Sequence, residues 1–348
     1  SERTGDDGWD LGESDGNYIE HCWAYGNEEG FGLFASSHNV LIDTESGWDW
    51  FAGLYLTGGS NDNLFIDVRG REHSGIGVAI EDSTDNTFYG VRLMNTGTDW
   101  DDAWGMTGGD RTTVVDAQIS GAGYDGFYMN GSADVTVVEL LTAWASADGF
   151  HASDGTRGLT LHQVTSVGHG QDGIELHNTE AYLDTVVSGV ISAGNYENGY
   201  NLDDSNTLRF HDVAACHNSY SGIEMNAMDD VAWSGYLWVG DNWDFDCETQ
   251  FNIEPGLEHD TCANTGASDA TLVSDVDLSS TFAGALYSDE PVNEDDNNGV
   301  APYDDIDDWL DFDNPWRGYG PDGAWPDEDY NTGPCRSGRD CRIWDWRL

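Results

Sequence analysis

The pattern of apolar and polar positions along the chain is repetitive. A glycine is followed by an apolar residue, a variable residue and a second apolar residue, and the copies are spaced by about 22–28 residues. They begin at Gly30, Gly53, Gly75, Gly126, Gly149, Gly173, Gly199 and Gly222, with a degenerate copy at Ala103. Successive side chains of a β-strand point to opposite faces, so each triplet is expected to bury its outer residues and expose its middle one.

The segments between the triplets complete a repeat unit. A turn rich in Gly, Asn, Ser and Asp follows each triplet, and a second β-branched run comes next, as at 135–138. A single coil has too little apolar surface to fold alone, whereas coils stacked in register bury a continuous core. A glycine before each strand suits a turn that needs a positive φ or close backbone approach. Leucine-rich repeats share this period but have a Leu-x-x-Leu-x-Leu-x-x-Asn pattern that is missing here, so the sequence predicts a β-solenoid.

With triplets such as Gly126-Phe127-Tyr128-Met129 and Gly173-Ile174-Glu175-Leu176, the chain resembles the pectate-lyase-like superfamily of right-handed parallel β-helix proteins. The resemblance covers about residues 15–285. It implies an all-β fold, a right-handed parallel β-helix solenoid of about ten coils with an irregular, disulfide-containing C-terminal cap. Because the superfamily contains lyases, hydrolases, epimerases, tailspikes, adhesins and structural surface proteins, the resemblance does not settle the function.

Changes in composition along the chain suggest four segments. We expect an N-terminal cap at 1–16, the parallel β-helix at 17–288, an acidic linker at 289–313, and a Trp/Arg-rich C-terminal cap or docking segment at 314–348. The last segment holds four of the tryptophans and five arginines, which would complement an acidic body in charge.

The acidic linker contains a weak calcium-loop pattern. Its candidate ligands are Glu294, Asp296, Asn298 and Asp305. Flanking helices are not evident and the first ligand is a glutamate, so a plain acidic linker competes with the metal-site interpretation.

Charge narrows the set of partners. The chain carries 66 Asp and Glu against 12 Lys and Arg, a formal net charge of −54, which excludes nucleic acid and anionic membranes as partners. A hydrophobic fraction of 38% with 15 Trp argues against disorder. The acidic surface indicates either adaptation to high salt or binding of Ca²⁺, the candidate ion. No apolar run is long enough for a membrane span, and the start at Ser1 suggests a trimmed, secreted protein.

Six cysteines are compatible with an oxidising compartment. Two short-range pairs are predicted to form disulfides, Cys247 with Cys262 and Cys335 with Cys341. The remaining two, Cys22 and Cys216, would lie about eight coils or roughly 38 Å apart. A disulfide needs Cα atoms within about 7 Å, so both are expected to be unbridged and buried.

The register of the triplets predicts two columns of outward-facing residues. The first column contains Tyr55, Gly77, Gly105, Tyr128, His151, Glu175, Asn201 and Glu224. The second contains Thr57, Ala79, Thr107, Asn130, Ser153, His177, Asp203 and Asn226. Titratable groups concentrate in the C-terminal half, where the candidate catalytic residues are His151, Glu175, His177, Asp203 and Glu224.

Two features of these columns point to chemistry. His151 is expected one rung from Glu175, and a carboxylate beside an imidazole raises the pKa of the imidazole. Glu175 and Glu224 would lie two rungs apart, roughly 9–10 Å, close to the carboxylate spacing of an inverting glycoside hydrolase. An exposed polar ladder without function, or a metal site, is compatible with the same columns.

A short motif, Gly168-His169-Gly170, matches the Gly-His-Gly of polygalacturonases. The Arg-Ile-Lys of that family is absent because the chain has no lysine, and Asp203 and Asp204 follow the motif instead of preceding it. Since Gly-x-Gly is also ordinary turn chemistry, His169 is not counted as a catalytic candidate.

Three function classes follow from the sequence. The first is a structural or adhesive surface protein, a fibre or sheath component stabilised by Ca²⁺ or high salt, whose partners are copies of itself or cell-surface polysaccharide. The second is a polysaccharide-active enzyme, an inverting hydrolase before a lyase or epimerase, because uronate enzymes need cationic residues that are scarce here. The third is a carbohydrate-binding module that uses exposed aromatic residues. The first is the main expectation.

Overall fold

A computed structural model describes residues 5–97, 100–179, 185–226, 229–240, 242, 247–249 and 269–272. Within these residues the chain is an all-β, right-handed parallel solenoid of about nine turns without any helix. This confirms the predicted fold class. The described residues include no helix with the length and apolar character that crossing a bilayer requires.

Sheet one has eleven parallel strands, which pair with one another in chain order. They are β1 (Trp9–Gly12), β4 (Glu29–Phe34), β6 (Ala52–Thr57), β8 (Ile76–Glu81), β11 (Trp104–Thr107), β13 (Phe127–Asn130), β15 (Phe150–Ser153), β18 (Ile174–His177), β20 (Tyr200–Asp203), β22 (Ile223–Asn226) and β24 (Cys247–Thr249). From β11 to β22 the first and third residues of each strand are buried, as the triplet pattern predicts.

Sheet two has fourteen parallel strands. They are β2 (Tyr18–Glu20), β3 (Trp23–Tyr25), β5 (Val40–Gly47), β7 (Leu64–Arg71), β9 (Thr87–Tyr89), β10 (Arg92–Met94), β12 (Thr113–Ser120), β14 (Thr136–Ala143), β16 (Thr160–His162), β17 (Thr165–Val167), β19 (Thr185–Ala193), β21 (Asn206–Cys216), β23 (Asp229–Gly240) and β25 (Asp269–Leu272). The first strand of the solenoid, β1, lies in the stretch expected to be an N-terminal cap and already pairs with β4.

The core between the sheets is a continuous column of apolar side chains. Its central part is an aromatic stack in which neighbouring ring centroids lie 4.6–5.2 Å apart. The stack consists of Phe65, Phe88, Trp104, Phe127 and Phe150, all of them buried. Trp104 therefore takes the place of a phenylalanine in the degenerate repeat, and the coil that carries it keeps the register.

The glycines before the strands of sheet one are required by close backbone approach. A Cβ on Gly53 would lie 2.6 Å from the carbonyl oxygen of Gly77, and one on Gly199 would lie 2.5 Å from that of Gly222. Adjacent coils meet at this position with no room for a side chain, which is the second of the two reasons that the repeat suggests for glycine.

One repeat was assigned to the wrong register from the sequence. Gly77, not Gly75, stands opposite Gly53, so the buried pair of this coil is Val78 and Ile80. The first outward column therefore contains Ala79 in place of Gly77, and Glu81 follows Thr57 in the second column. The sequence misled because Ile76, which pairs with Ala52 at the start of the strand, is apolar by itself.

Replacing Gly53 with Ala is expected to lower the free energy of unfolding by about 1–3 kcal/mol, because overpacked sites strain the backbone. Its new Cβ would lie within 2.7 Å of His73 Nε2, Gly77 O and Ser46 Oγ. Chemical denaturation measures the loss. The control is Gly12→Ala, whose Cβ would meet only Asp10 Oδ1 at 3.7 Å; equal effects of the two changes would contradict the close-approach explanation.

The two cysteines that were predicted to be unbridged lie far apart in the solenoid. Neither Cys22 nor Cys216 forms a disulfide, as predicted. Cys216 is buried, but Cys22 is only half-buried, since it packs against the edge of the core near the start of sheet two. The predicted disulfides of Cys247 with Cys262 and of Cys335 with Cys341 lie outside the side chains described, as do the segments at 289–313 and 314–348.

Candidate functional site

The strand register of sheet one brings two of the predicted histidine–carboxylate pairs together. His151 stands opposite Glu175, with Nε2 3.5 Å from Glu175 Oε2. His177 stands opposite Asp203, with Nδ1 3.1 Å from Asp203 Oδ2. Both pairs face outward from the middle and last positions of their strands.

A row of aspartates lies directly behind these residues, in the loops that lead into sheet one. Asp102, Asp125, Asp148 and Asp172 are each the residue before the tightly packed Gly or Ala. The Oδ1 atom of each accepts a hydrogen bond from a backbone N–H in the next coil, at 3.1, 2.9, 2.7 and 2.7 Å. Three members of the row, Asp125, Asp148 and Asp172, are buried.

The fold does not need negative charge at these positions. In the next coil Asn198 occupies the same place, and its Oδ1 accepts the Ser221 N–H at 3.0 Å. Another ladder of this solenoid also uses asparagine, since Asn39 N–H donates to Asn63 Oδ1 at 2.9 Å. Burying a carboxylate is costly when a neutral amide makes the same bond, so the aspartates call for an explanation beyond stability.

The second carboxylate oxygens point toward the outward face. Asp125 Oδ2 lies 3.0 Å from His151 Nδ1, and Asp148 Oδ2 lies 3.7 Å from the same atom. Asp172 Oδ2 accepts a hydrogen bond from Asn201 Nδ2 at 2.8 Å. We call the group Asp125, Asp148, His151, Asp172 and Glu175 the acid–histidine cluster.

Burial sets the protonation of the cluster. It raises the pKa of Asp172 to about 7, and together with the charge of Asp125 it raises the pKa of Asp102 to about 7. For Asp148, burial, the charge of Asp125 and a hydrogen bond with Glu175 raise the pKa well above its usual value. Neutral pH therefore leaves protons inside this cluster.

The surroundings of the imidazole favour its charged form. Burial lowers the pKa of His151, but the hydrogen bond to Asp125 and the charge of Glu175 outweigh burial, and the pKa ends above its usual value. His151 is thus the one residue of the acid–histidine cluster that can carry positive charge.

Exposure separates the groups that a ligand reaches from those behind them. The side chains of Asp125 and Asp148 are 1% and 4% exposed, whereas those of His151 and Glu175 are each 20% exposed. A bound molecule would therefore touch His151 and Glu175, while the aspartates act through them.

Two overlapping sets of ligand atoms within 4.8 Å of one another could hold a metal ion. One set is Asp125, Asp148 and His151; the other is Asp148, Asp172 and Glu175. The second offers three carboxylates, the donors that Ca²⁺ prefers, with further ligands left to water or substrate. The metal ligands predicted from the sequence, Glu294, Asp296, Asn298 and Asp305, lie outside the described residues.

Glu224 also lies on this face. It pairs with Asn201, which pairs in turn with Glu175, so the two glutamates are two rungs apart as the columns predict. Its Oε2 accepts a hydrogen bond from Asn198 Nδ2 at 3.0 Å. The His177–Asp203 pair occupies the neighbouring column and is more exposed than the cluster.

The sequence analysis missed the buried aspartates although their signal was present. Asp-Gly precedes three successive triplets, at Asp125, Asp148 and Asp172. Asp-Gly is also common turn chemistry, and only the stacking of successive loops reveals that these side chains are buried and bridge neighbouring coils.

His169, the centre of the Gly-His-Gly motif, has a structural role. It is buried, its Nδ1 accepts the Ala145 N–H at 2.9 Å, and its Nε2 lies 3.3 Å from Thr142 Oγ1. Burial lowers its pKa to about 3, so the ring is neutral. Both ring nitrogens are already engaged in contacts within the solenoid. Its exclusion from the catalytic candidates agrees with this position.

Comparison with known proteins gives likeness in structure only. No protein-family model and no curated protein matches the chain. A mutant of the periplasmic alginate epimerase AlgG matches with a TM-score of 0.51 and 11% identity, over 78% of this chain and 74% of that chain. The polygalacturonase from Erwinia carotovora ssp. carotovora matches with a TM-score of 0.49 and 11% identity, over 72% and 97%.

Pectate lyase Pel9A matches with a TM-score of 0.47 and 11% identity, over 70% of this chain and 72% of that chain. Identities this low establish the fold and nothing finer. What the likeness to the epimerase does show is the architecture, and on that ground the chain is a parallel β-helix of the kind that the pectate-lyase-like resemblance implied.

Proposed function

We propose that this chain is a polysaccharide-active enzyme that cleaves glycosidic bonds by hydrolysis at the acid–histidine cluster. The observation that carries the proposal is the pairing of buried Asp148 with partly exposed Glu175, whose carboxylate oxygens lie within 4.8 Å of each other. Asp148 occupies a position where asparagine would serve the fold equally well, as it does at Asn198. The main expectation from the sequence, a structural surface protein, does not by itself explain a carboxylate at this position.

The pair Asp148–Glu175 supplies the proton donor. Because burial and the charge of Asp125 raise the pKa of Asp148, Asp148 can hold a proton and pass it to Glu175 after Glu175 protonates the glycosidic oxygen of the leaving group. A carboxyl whose pKa is raised by burial can serve as a proton source for general acid catalysis.

Glu224 is the matching general base. Two rungs of a parallel sheet place it roughly 9–10 Å from Glu175 along the backbone. This spacing leaves room for a water molecule beside the sugar ring, as in inverting hydrolysis. Glu224 removes a proton from that water, and the water oxygen forms the new bond to the anomeric carbon as the bond to the leaving oxygen breaks.

His151 is a positioning residue in this scheme. Asp125 fixes one ring nitrogen, and the other lies 3.5 Å from Glu175 Oε2. The imidazolium thereby orients Glu175 and offsets part of the negative charge that the aspartates concentrate.

Supporting context comes from the structural likeness. The matched epimerase is named for its action on alginate, a polysaccharide, and is periplasmic. We extend both properties to this chain as proposals: a glycan substrate, and a place outside the cytoplasm. The formal net charge of −54 fits such a medium, where salt or Ca²⁺ screens it.

The test is release of reducing ends from a panel of neutral and acidic polysaccharides. Wild type is expected to release saturated products, and Glu175→Gln is expected to lose about 10²–10⁴-fold in kcat because general acid catalysis is removed. The matched control is Glu139→Gln, on an exposed position of sheet two. Full activity in Glu175→Gln would overturn the assignment.

A second candidate, a cation-dependent lyase or epimerase, is favoured by the three carboxylates of Asp148, Asp172 and Glu175. Parallel assays in EDTA and in added Ca²⁺ distinguish the two. Unsaturated products, formed only with Ca²⁺, would replace the hydrolase proposal with the lyase. Saturated products that persist in EDTA support hydrolysis.

A further inference from the structure

An aromatic group lies on the same face of sheet one, four coils before the acid–histidine cluster. Trp50 and Phe51 are 57% and 38% exposed. The Phe51 ring contacts Trp50 at 6.4 Å and Tyr55 edge-on at 5.3 Å between centroids. We call these three residues the aromatic platform.

The backbone under the aromatic platform is fixed. Trp50 N–H donates to Asn27 O at 3.1 Å, and Phe51 N–H donates to Glu28 O at 3.0 Å. On the other side Phe51 O accepts the Ile76 N–H at 3.0 Å. Large apolar rings held in place on an exposed face lower the entropy cost of binding and are typical of recognition surfaces.

The surface between the aromatic platform and the acid–histidine cluster carries small outward-facing residues. The corrected outward column contains Tyr55, Ala79, Gly105, Tyr128 and His151 in successive coils. Ala79 and Gly105 have almost no side chain, and Ala79 is only 4% exposed. The Ile76 side chain covers Gly105, since its Cδ1 would lie 3.3 Å from a Cβ on that glycine. The surface between the rings of Tyr55 and Tyr128 is therefore low and apolar. Tyr128 then meets His151 edge-on at 5.2 Å. Four rungs separate Tyr55 from His151, roughly 19 Å.

The charges along this track, the outward surface of sheet one from Tyr55 to His151, indicate which class of polysaccharide it binds. Neither the eleven strands of sheet one nor the ten loops that lead into it from sheet two contain Arg or Lys. Glu81 accepts the Tyr55 hydroxyl at 2.6 Å, and Glu29 lies over Gly32 beside the platform. Beside the platform a polyanionic chain meets Glu81 and Glu29 without an arginine or lysine to pair with, whereas the apolar faces of uncharged sugar rings stack on aromatic rings without any cation.

We infer that an uncharged polysaccharide lies along the solenoid axis, from the acid–histidine cluster across Ile76 and Gly105 to the aromatic platform. The inference rests on the proposed function for the position of the cleaved bond. It adds the substrate class, a neutral glycan, and a binding subsite several sugar residues away from the chemistry. Long chains engage both ends of the track, whereas short oligosaccharides reach only the cluster.

The test compares polymer and oligosaccharide of the same linkage. Trp50→Ala/Phe51→Ala is expected to raise KM for the neutral polymer about tenfold, which is about 1.4 kcal/mol, with kcat unchanged and with no effect on a di- or trisaccharide. Gly105→Arg, which places a long side chain on the track, is expected to raise the polymer KM similarly. The matched control is Tyr89→Ala, an equally exposed aromatic on sheet two.

A binding assay separates this inference from the proposed function. Affinity electrophoresis of the Glu175→Gln variant in the neutral polymer is expected to show retardation that the platform substitutions abolish. The carboxymethylated form of the same polymer is expected to give none. Equal binding of the two polymers, or equal KM changes for long and short substrates, overturns the neutral-glycan track even if Glu175 proves catalytic. If the polymer retards the protein but no hydrolysis depends on Glu175, the neutral-glycan binding surface is supported and the proposed hydrolase is rejected. Thermal melting of each variant checks that the fold is retained.

Discussion

Asp148→Asn is expected to reduce glycan hydrolysis by about 10²–10⁴-fold while raising the melting temperature at neutral pH. Asn keeps an oxygen that accepts the Asp172 N–H, a bond of 2.7 Å in the present structure. The substitution removes the carboxyl proton that we propose Asp148 passes to Glu175. It also removes a buried carboxyl group from a cluster of like charges. Activity and stability should therefore move in opposite directions, which a purely structural residue would not do.

The pH dependence of stability gives an independent readout of Asp148. Its pKa is raised in the folded state, above the ordinary value of 3.8 that applies to the unfolded chain. The folded protein thus binds an extra proton, and this contribution to stability is complete below pH 3.8 and lost as pH rises through the folded pKa. Melting temperatures of wild type should fall from acid to mildly alkaline pH more steeply than those of Asp148→Asn.

The matched control is Asp154→Asn. Asp154 lies on the exposed turn that follows strand β15, whereas Asp148 lies in the loop that precedes this strand. Asp154→Asn changes the formal charge equally and should leave both the activity and the pH profile of melting near those of wild type. A loss of stability in Asp148→Asn at neutral pH would show that the carboxylate serves the fold, and it would remove the reason for placing chemistry at this position.

The fold was predictable because a solenoid repeats its local rule. The Gly–apolar–x–apolar unit specifies burial, strand period and turn in every coil, so one pattern read eight times predicts the core and its register. The failure at Gly75 shows the limit: Ile76-Gly77-Val78 satisfies the same local pattern two residues early. Pairing with Tyr55 and Leu56 of the preceding strand, which the sequence does not display, decides the register.

The site was predictable only where it follows strand alternation. His151 and Glu175 occupy middle positions of their triplets, and the register places them opposite each other. Asp125 and Asp148 belong to loops, where local sequence specifies a turn but not the direction of a side chain. Their burial arises from contacts between loops about 23 residues apart, which no local pattern encodes.

Trp104→Ala is expected to cost about 3–5 kcal/mol of unfolding free energy, the range for removing a large buried aromatic side chain. Trp104 is fully buried, stacks on Phe127 at 5.0 Å and 12°, and meets Phe88 edge-on at 4.8 Å. Alanine would break the aromatic stack in the middle of the solenoid. Since each coil contacts only its neighbours, the loss of packing should be confined to the coils around Trp104. It should weaken the coupling between the parts of the solenoid on either side.

Hydrogen exchange and chemical denaturation together test this expectation. Exchange should accelerate most in strands β8, β11 and β13, and a single denaturation transition should broaden or split as coupling between the halves weakens. The control is Trp104→Phe, which keeps the stack and removes Nε1, a buried donor with no hydrogen-bond partner in the described structure. Phenylalanine should cost less than about 1.5 kcal/mol. Equal losses for Ala and Phe would mean that the indole is held by something other than the stack, and would contradict the description of this core as interchangeable aromatic rungs.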